Sequence, residues 1–416
     1  MATVLFVHNT FPGRFAFLAE ALLARGDTVG AIAGFGEGGY PGVTFRKYRV
    51  AQGSTPNLYR PAVRAEADLL RGCAAAAEAQ ALKAQGFTPD LIISHPGWGE
   101  SLMMREVWPH ARQILQGEFY YRSHGADTHF DPEFETDTSP EADYRIHAKN
   151  MGVTLSAMDA DAIVCPTPFQ GSLYPKPLQP LVKVIHEGVD VDRARPLEQP
   201  GLKLSDGRVL DRSTPVVTFI NRRFEPMRGF HTMMRALPHF LRDAPDAQVL
   251  MIGADEKGGY GPGAPDGRTW GQVFLAEQGA GIDRTRVHFV GPIAYDLMVQ
   301  ALNLGRAHVH FTYPFVLSWS LIDAMACGAL ILGSDTAPVR DAVEDGVNGR
   351  LLNFFDAEGL ARAMTEAVSE PERFAPLRAA ARATAVERYD QTRLCRPEWM
   401  RLIDETLAKG PRPGLW

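Results

Sequence analysis

The stretch Tyr313–Gly349, YPFVLSWSLIDAMACGALILGSDTAPVRDAVEDGVNG, decides how the rest of the chain is read. It follows an apolar run, Ala307–Thr312 (AHVHFT), with the character of a buried strand, and turns through Pro314 into a helix. Ser318 or Ser320 can cap that helix, Leu321, Ile322, Ala324 and Met325 give it an apolar face, and Gly328 stops it. A strand feeding a helix N-terminus leaves backbone amides around Val316 to Ser320 pointing outward, and the helix dipole adds to them. The loop therefore predicts an anion site that needs no lysine. Asp323, about one turn inside the helix, either reaches a sugar hydroxyl pair or is a solvated helix aspartate. The next strand, Ala329–Gly333, leads to SDTAPVRD on the same rim of the sheet.

Working outward, the same alternation of strand, loop and helix recurs. Thr3–His8 reads as a buried strand, Phe15, Leu18, Ala19, Leu22 and Leu23 as the apolar face of a helix, and Val29–Gly34 as the next strand, a βαβ opening. Gly13, in the loop after the first strand, either lets backbone approach a phosphate or sugar closely or simply makes a turn. DLIISHPGWGES ends a strand at His95 and exposes Trp98 among glycines, either to stack on a sugar or to plug the packing. A strand over Gln113–Tyr121 carries Glu118 and leads to a polar loop with Arg122, His124, Asp127 and His129; a long helix follows over Asp143–Met158. In LKLSDGRVL an Asp-Gly turn between alternating apolar residues predicts a small hairpin. A strand over Val216–Ile220 then precedes NRRFEPMRGF, which places Arg222, Arg223 and Arg228 beyond a strand end and Gly229 before a helix. The glycine- and proline-rich 254–270 reads as a mobile lid or a disordered insert.

Composition narrows the function classes. The 416 residues suffice for two or three domains, and a net charge of −6 with no dense basic block argues against a nucleic-acid partner. No apolar segment approaches the ~18 residues a membrane span needs, so no transmembrane segment is expected, while peripheral contact through an amphipathic helix stays open. Four dispersed cysteines, with no CxxC pair, predict reduced thiols in a cytoplasmic protein, free or peripheral at the inner membrane.

In these motifs the chain resembles the retaining glycosyltransferases of family 4 (glycosyl transferases group 1), which have the GT-B fold and include sucrose, mannosyl and glycogen synthase-like enzymes. DAMACG at Asp323–Gly328 is similar to the family's second acid followed by Ala-Met-Ala-x-Gly, with aspartate for glutamate; the family's first acid, eight positions earlier, is replaced by Phe315. The resemblance implies an α/β protein of two doubly wound Rossmann-like domains facing across a cleft. Residues 1–190 would form the acceptor-side domain, to which the C-terminal helix 397–416 returns. Residues 191–215 would be a linker with the hairpin, and 216–396 the nucleotide-sugar domain. It further implies that Arg228, with Arg222 or Arg223, neutralises the donor diphosphate, the alternative being an exposed basic loop. Asp323 would hold the ribose, Pro292 and Ile293 would lie beside the base, and Gly13, Phe315, Val316, Leu317 and Ser318 would line the donor. His95, Trp98, Arg122 and Asp127 would face the acceptor, with Glu118 or His124 as the polar group nearest the reaction. The implied reaction moves a hexosyl group, with retention, from a UDP- or GDP-type sugar to a saccharide, lipid-linked or other hydroxyl acceptor, with neither a cofactor nor a metal. An epimerase of the same fold and a non-catalytic nucleotide-sugar-binding partner, the latter suggested by the acid missing at Phe315, are the alternatives.

Overall fold

Short apolar runs flanked by glycine, proline and polar turns become strands buried on both faces in the computed structural model, which describes residues 1–36, 40–135 and 137–414. The chain folds as two compact units, one of Met1–Gly125, Asp137–Glu187 and Cys395–Trp416, the other of Ala126–Thr136 and Gly188–Leu394.

The first unit holds β1 (Thr3–Val7), β2 (Thr28–Ala33), β3 (Val43–Lys47), β4 (Leu91–Ser94), β5 (Arg112–Gln116), β6 (Ala162–Cys165) and β7 (Val182–Val184). They pair in the order β3-β2-β1-β4-β5-β6-β7, every pairing parallel. Strand alternation sorts the core. Val4 and Phe6 face a cluster that includes Trp399, Leu402 and Ile403 of the helix Arg396–Leu407, whereas Leu5 and Val7 face Ala75, Ala79 and Leu82 of the helix Val63–Ala84. Strand order reverses between β1 and β4, and the crevice at their C-terminal ends is where open parallel sheets take ligands.

The second unit begins with a hairpin, β8 (Leu202–Lys203) and β9 (Val209–Leu210), turning at Gly207 with φ +89°, where the Asp-Gly signal put it. Its sheet comprises β10 (Val216–Arg223), β11 (Gln248–Ala254), β12 (Val287–Gly291), β13 (Gly305–His310), β14 (Ile331–Ser334) and β15 (Arg350–Leu352). They lie in the order β12-β11-β10-β13-β14-β15, again all parallel, with the reversal between β10 and β13.

Several sequence expectations are corrected. The strand expected over Gln113–Tyr121 stops at Gln116, because a side chain at Gly117 would strike Ile163 and Tyr174 and the chain turns out of the sheet there. Glu118 thus lies beyond the strand end and not within it. The helix expected over Asp143–Met158 is two helices, Pro140–Ala148 and Met151–Met158, broken where the Asn150 amide is spent on the backbone N–H and carbonyl of Tyr121. β10 runs on through Arg222 and Arg223, so these two do not follow a strand end; pairing with β11 persists to Arg223–Ala254 across a register shift. The division between units falls at Glu187–Gly188 instead of after residue 190, and Ala126–Thr136, expected in the first domain, groups with the second.

Candidate functional site

Each unit gathers its polar side chains at its own switch point. In the second unit, β13 ends at His310 and the chain continues as Phe311–Ser318 into the helix Trp319–Ala326. Ser318 is the N-cap, its hydroxyl accepting from Ser320 N–H, and Gly328 at φ +72° follows the C-cap Cys327. The backbone amides of Val316, Leu317 and Ser318 donate to no protein acceptor among the described residues. Thr312 is braced from behind: its N–H donates to Ser334 Oγ at 3.0 Å, and its carbonyl accepts from Thr336 Oγ1 at 3.1 Å.

Arg228 meets this loop directly. Gly229 adopts φ +68°, a conformation that costs glycine least, and ends the short turn Pro226–Arg228 so that the helix Phe230–Asp243 can start. The turn is pinned by Tyr313 N–H donating to Met227 O at 2.9 Å. Arg228 Nη1 then donates to Thr312 Oγ1 (3.0 Å) and Val316 O (2.8 Å), which sets a guanidinium beside the outward amides. Its Cζ lies 5.5 Å from the Phe315 ring centre and 5.9 Å from that of Tyr260, and the two rings are 4.9 Å apart. Behind it, buried Glu225 accepts from Tyr260 N–H at 2.5 Å, tying the 254–270 loop to this corner. Burial pushes the Glu225 carboxyl up to about 6, although Arg228 and the Tyr260 amide pull the other way.

Asp323 is 5% exposed, and one of its oxygens, Oδ1, accepts from Tyr295 OH at 2.6 Å. Burial raises its carboxyl from 3.8 to about 6, with the Tyr295 bond acting against the rise. Its second oxygen has no protein partner among the described residues. It is therefore no solvated surface aspartate. Tyr295 opens the helix that follows β12, after Pro292, Ile293 and the N-cap Ala294, and Arg193 lies 4.5 Å over its ring. Pro292 is exposed and Ile293 packs on the core beside it. Of the three arginines only Arg228 turns to the loop: Arg223 pairs with Glu256 at 2.6 Å, and Arg222 is exposed on the strand.

In the first unit the crevice between β1 and β4 holds an ion-pair cluster. Gly13, at φ +44°, begins a turn that carries Arg14 back over the strand ends. Arg14 bridges Glu118 (2.5 Å) and Glu187 (3.4 Å), and Glu187 also accepts from the Gln116 amide. His95 takes the Gly97 N–H on Nδ1 at 3.1 Å, which leaves Nε2–H to donate to Glu118 at 3.1 Å. Burial alone would raise the Glu118 carboxyl, but Arg14 and His95 outweigh it and hold the group well below the usual range. His8 sits edge-on to His95, ring centres 5.1 Å apart, and burial together with His95 and Arg14 lowers it to about 3, so it is neutral.

Not every expected residue joins these sites. Trp98 lies under the Arg64 and Arg71 guanidiniums at 5.4 and 5.8 Å, the packing role. Arg122 donates to the carbonyls of Ser172 and Leu173 at a helix end. His124 is exposed on the following loop, and Asp127 lies on the segment that groups with the second unit. Sequence reasoning missed Arg14, His8, Gln116, Glu225, Tyr260, Tyr295 and Thr312. A signal existed for two of them, Arg14 next to Gly13 in a strand-end loop and Glu225 three residues before Arg228.

Comparison with known proteins adds three findings. The model of the glycosyl transferase family 4 group matches residues 25–194, and that of glycosyl transferases group 1 matches residues 214–370. Among curated proteins, the D-inositol 3-phosphate glycosyltransferase of Rhodococcus jostii is 28% identical over 200 residues, 48% of this chain and 42% of that protein. The phosphatidyl-myo-inositol mannosyltransferase of Mycolicibacterium smegmatis is 30% identical over 196 residues, 45% of each. The matches thus span less than half of these relatives. Among solved structures, the sucrose-phosphate synthase of Thermosynechococcus elongatus superposes with TM-score 0.72 at 16% identity, covering 99% of this chain and 100% of that one. Anabaena HepE in complex with UDP and glucose gives TM-score 0.64 at 17% identity, covering 97% and 100%. At these identities the structural likeness concerns the fold.

Proposed function

Since the chain belongs to the family 4, group 1 glycosyltransferases, we propose that it transfers a hexosyl group from a nucleoside diphosphate sugar to a hydroxyl acceptor, with retention at the anomeric carbon. The observation that carries this reading is Arg228 bound to Thr312 Oγ1 and Val316 O beside unengaged amides at a helix N-terminus. A diphosphate gains negative charge as its bond to the sugar breaks. A guanidinium and preorganised N–H groups stabilise that charge more in the transition state than in the ground state.

The carboxylate oxygen of Asp323 that Tyr295 leaves unused accepts from a ribose hydroxyl, and Phe315 leaves no acid at its position to form a covalent intermediate. The transfer is then a same-face substitution. The bond from the anomeric carbon to the leaving phosphate breaks as the acceptor oxygen closes on the same face, and the acceptor proton passes to the leaving phosphate oxygen. The charges named here suffice without a metal, and chelation with EDTA should leave turnover unchanged. HepE holds UDP with glucose, so a UDP-sugar is the first donor to try, followed by GDP- and ADP-sugars. Arg228→Ala should abolish transfer while thermal unfolding stays cooperative; wild-type rates from a folded R228A protein would refute the assignment. Nucleotide-sugar binding with no transfer over a broad acceptor panel would instead favour the non-catalytic reading that Phe315 suggests.

A further inference from the structure

A cavity of about 480 Å³ opens on the first unit between the helices Val63–Ala84 and Met151–Met158, and no residue of the ion-pair cluster lines it. That volume falls within the roughly 300 to 1,000 Å³ of small-molecule sites. Its walls are mainly apolar, with Leu69, Leu102, Met151, Leu155 and Met158 among them. Met151, Leu155 and Met158, at helical spacing, are 57, 55 and 68% exposed, and Leu69 is 47% exposed. Exposed apolar side chains gathered round a concavity mark a binding surface.

A polar atom on the wall, Asp68 Oδ2, is left unmet by the protein. Asp68 is 2% exposed. Its Oδ1 accepts from Arg64 Nε at 2.7 Å and from Arg71 Nη1 at 3.2 Å, while Oδ2 has no protein partner among the described residues. This oxygen is not sealed in, since Asp68 lines the cavity and Oδ2 keeps accessible surface there. Gly152 makes the opening, because a Cβ at that position would come within 2.9 Å of Oδ2. Tyr120, Thr154 and Asn150, also on the wall, are spent on the protein: Tyr120 OH and Thr154 Oγ1 share a hydrogen bond of 3.0 Å, and the Asn150 amide holds Tyr121. Neither arginine lines the cavity; both turn to the carbonyls of Gly97 and Trp98.

An occupant must therefore offer apolar bulk to the walls and a hydrogen-bonding group to Oδ2. A hydroxyl serves whichever protonation state the carboxyl takes, because it both donates and accepts. A cationic head would be buried beside two guanidiniums, and an anionic head would meet a carboxyl oxygen; either leaves water for an apolar cavity at high cost. A bilayer or a second copy of the chain would cover the rim and leave Oδ2 unmet.

We propose that this cavity binds a neutral alcohol with an apolar body, its hydroxyl on Asp68 Oδ2 and its hydrocarbon along Leu69, Leu155 and Met158. The site is independent of the transferase reading above.

The test titrates the full-length protein with decanol, decanoate and decylammonium, probes that share a chain and differ in the head, by calorimetry at neutral pH. Decanol should saturate a single site about tenfold or more tighter than either charged probe. Two variants locate it. Gly152→Ala, inside a helix that accepts alanine, presses a methyl on Oδ2 and should weaken decanol about tenfold, the scale of one hydrogen bond. Leu155→Gln, at an exposed position, removes apolar wall and should weaken decanol several-fold. Cooperative melting shows that each variant is folded; should G152A not fold, L155Q and the order of the three probes decide. No saturable decanol binding, equal affinity for a charged probe, or wild-type decanol affinity in either folded variant overturns the proposal. Sedimentation with phosphatidylcholine vesicles and of the protein alone adds the remaining outcome. Vesicle binding or self-association that L155Q abolishes, without saturable decanol binding, would give this face to a membrane or a second copy and overturn the proposal as well.

Discussion

Asp323 combines a buried carboxyl with a single hydroxyl partner, and the two facts pull stability and function apart. Burial lifts its carboxyl from 3.8 to about 6, so the folded state holds the proton more tightly than the unfolded chain does. Stability therefore falls as pH rises from about 4 to about 6 and stays lower above that, by roughly 3 kcal/mol at most for a two-unit shift. Asp323→Asn keeps an acceptor for Tyr295 and removes the charge. It should raise the thermal midpoint at pH 8, leave it nearly unchanged at pH 4, and weaken UDP binding about tenfold. Melting curves at both pH values and titration calorimetry check the three expectations separately. At this scale the sequence was informative where a residue acts through its neighbours along the chain. Asp323 stood out by its place in a helix and Arg228 by its place in a loop. Arg14 did not, because its role comes from Glu118 and Glu187, 104 and 173 positions away.

Elements were legible where hydrophobic period and turn chemistry agreed, as in the Asp-Gly hairpin and the Ser318-capped helix. They were misread where a side chain from elsewhere decided the boundary. Tyr174 and Ile163 crowd Gly117 and end β5, and the Asn150 amide breaks a run that composition alone would make one helix. The junction at Gly229 depends most on a single residue. A Cβ there would lie 2.2 Å from Phe311 Cβ, and φ is +68°, so both space and conformation demand glycine. Left-handed strain alone costs about 1 to 2 kcal/mol, and the clash adds to it. Gly229→Ala should lower stability by more than about 2 kcal/mol and should also weaken donor binding, because the turn that aims Arg228 must shift. Chemical denaturation together with a donor KM tests this, and a stable G229A protein with normal KM would contradict it.

Across the molecule, both sheets follow one rule: three strands wind out one way, the rest the other, and the polar cluster sits at the reversal. That much follows from the strand–loop–helix order of the sequence. The path of the chain between units does not, since it leaves the first unit at Gly125, returns at Asp137, leaves again after Glu187 and returns at Cys395. Within the second unit, the borrowed segment is held by Asp131, which accepts from Tyr313 OH at 2.7 Å and lies 3.3 Å from His231. Glu133 pairs with Arg235 at 2.6 Å, and Phe130 and Phe134 fit among other rings. A fragment of residues 1–187 would expose those aromatics and lose Trp399 and Ile403 from its core. It should be insoluble or bind a hydrophobic dye more strongly than the whole chain does; a folded, soluble fragment would count against this division.

The same borrowed segment governs recombination with relatives. A chimera spliced only at the Glu187–Gly188 joint would offer a foreign strap to the native sockets of Tyr313, His231 and Arg235. Grafts that carry Ala126–Thr136 along with the second half respect the native seams.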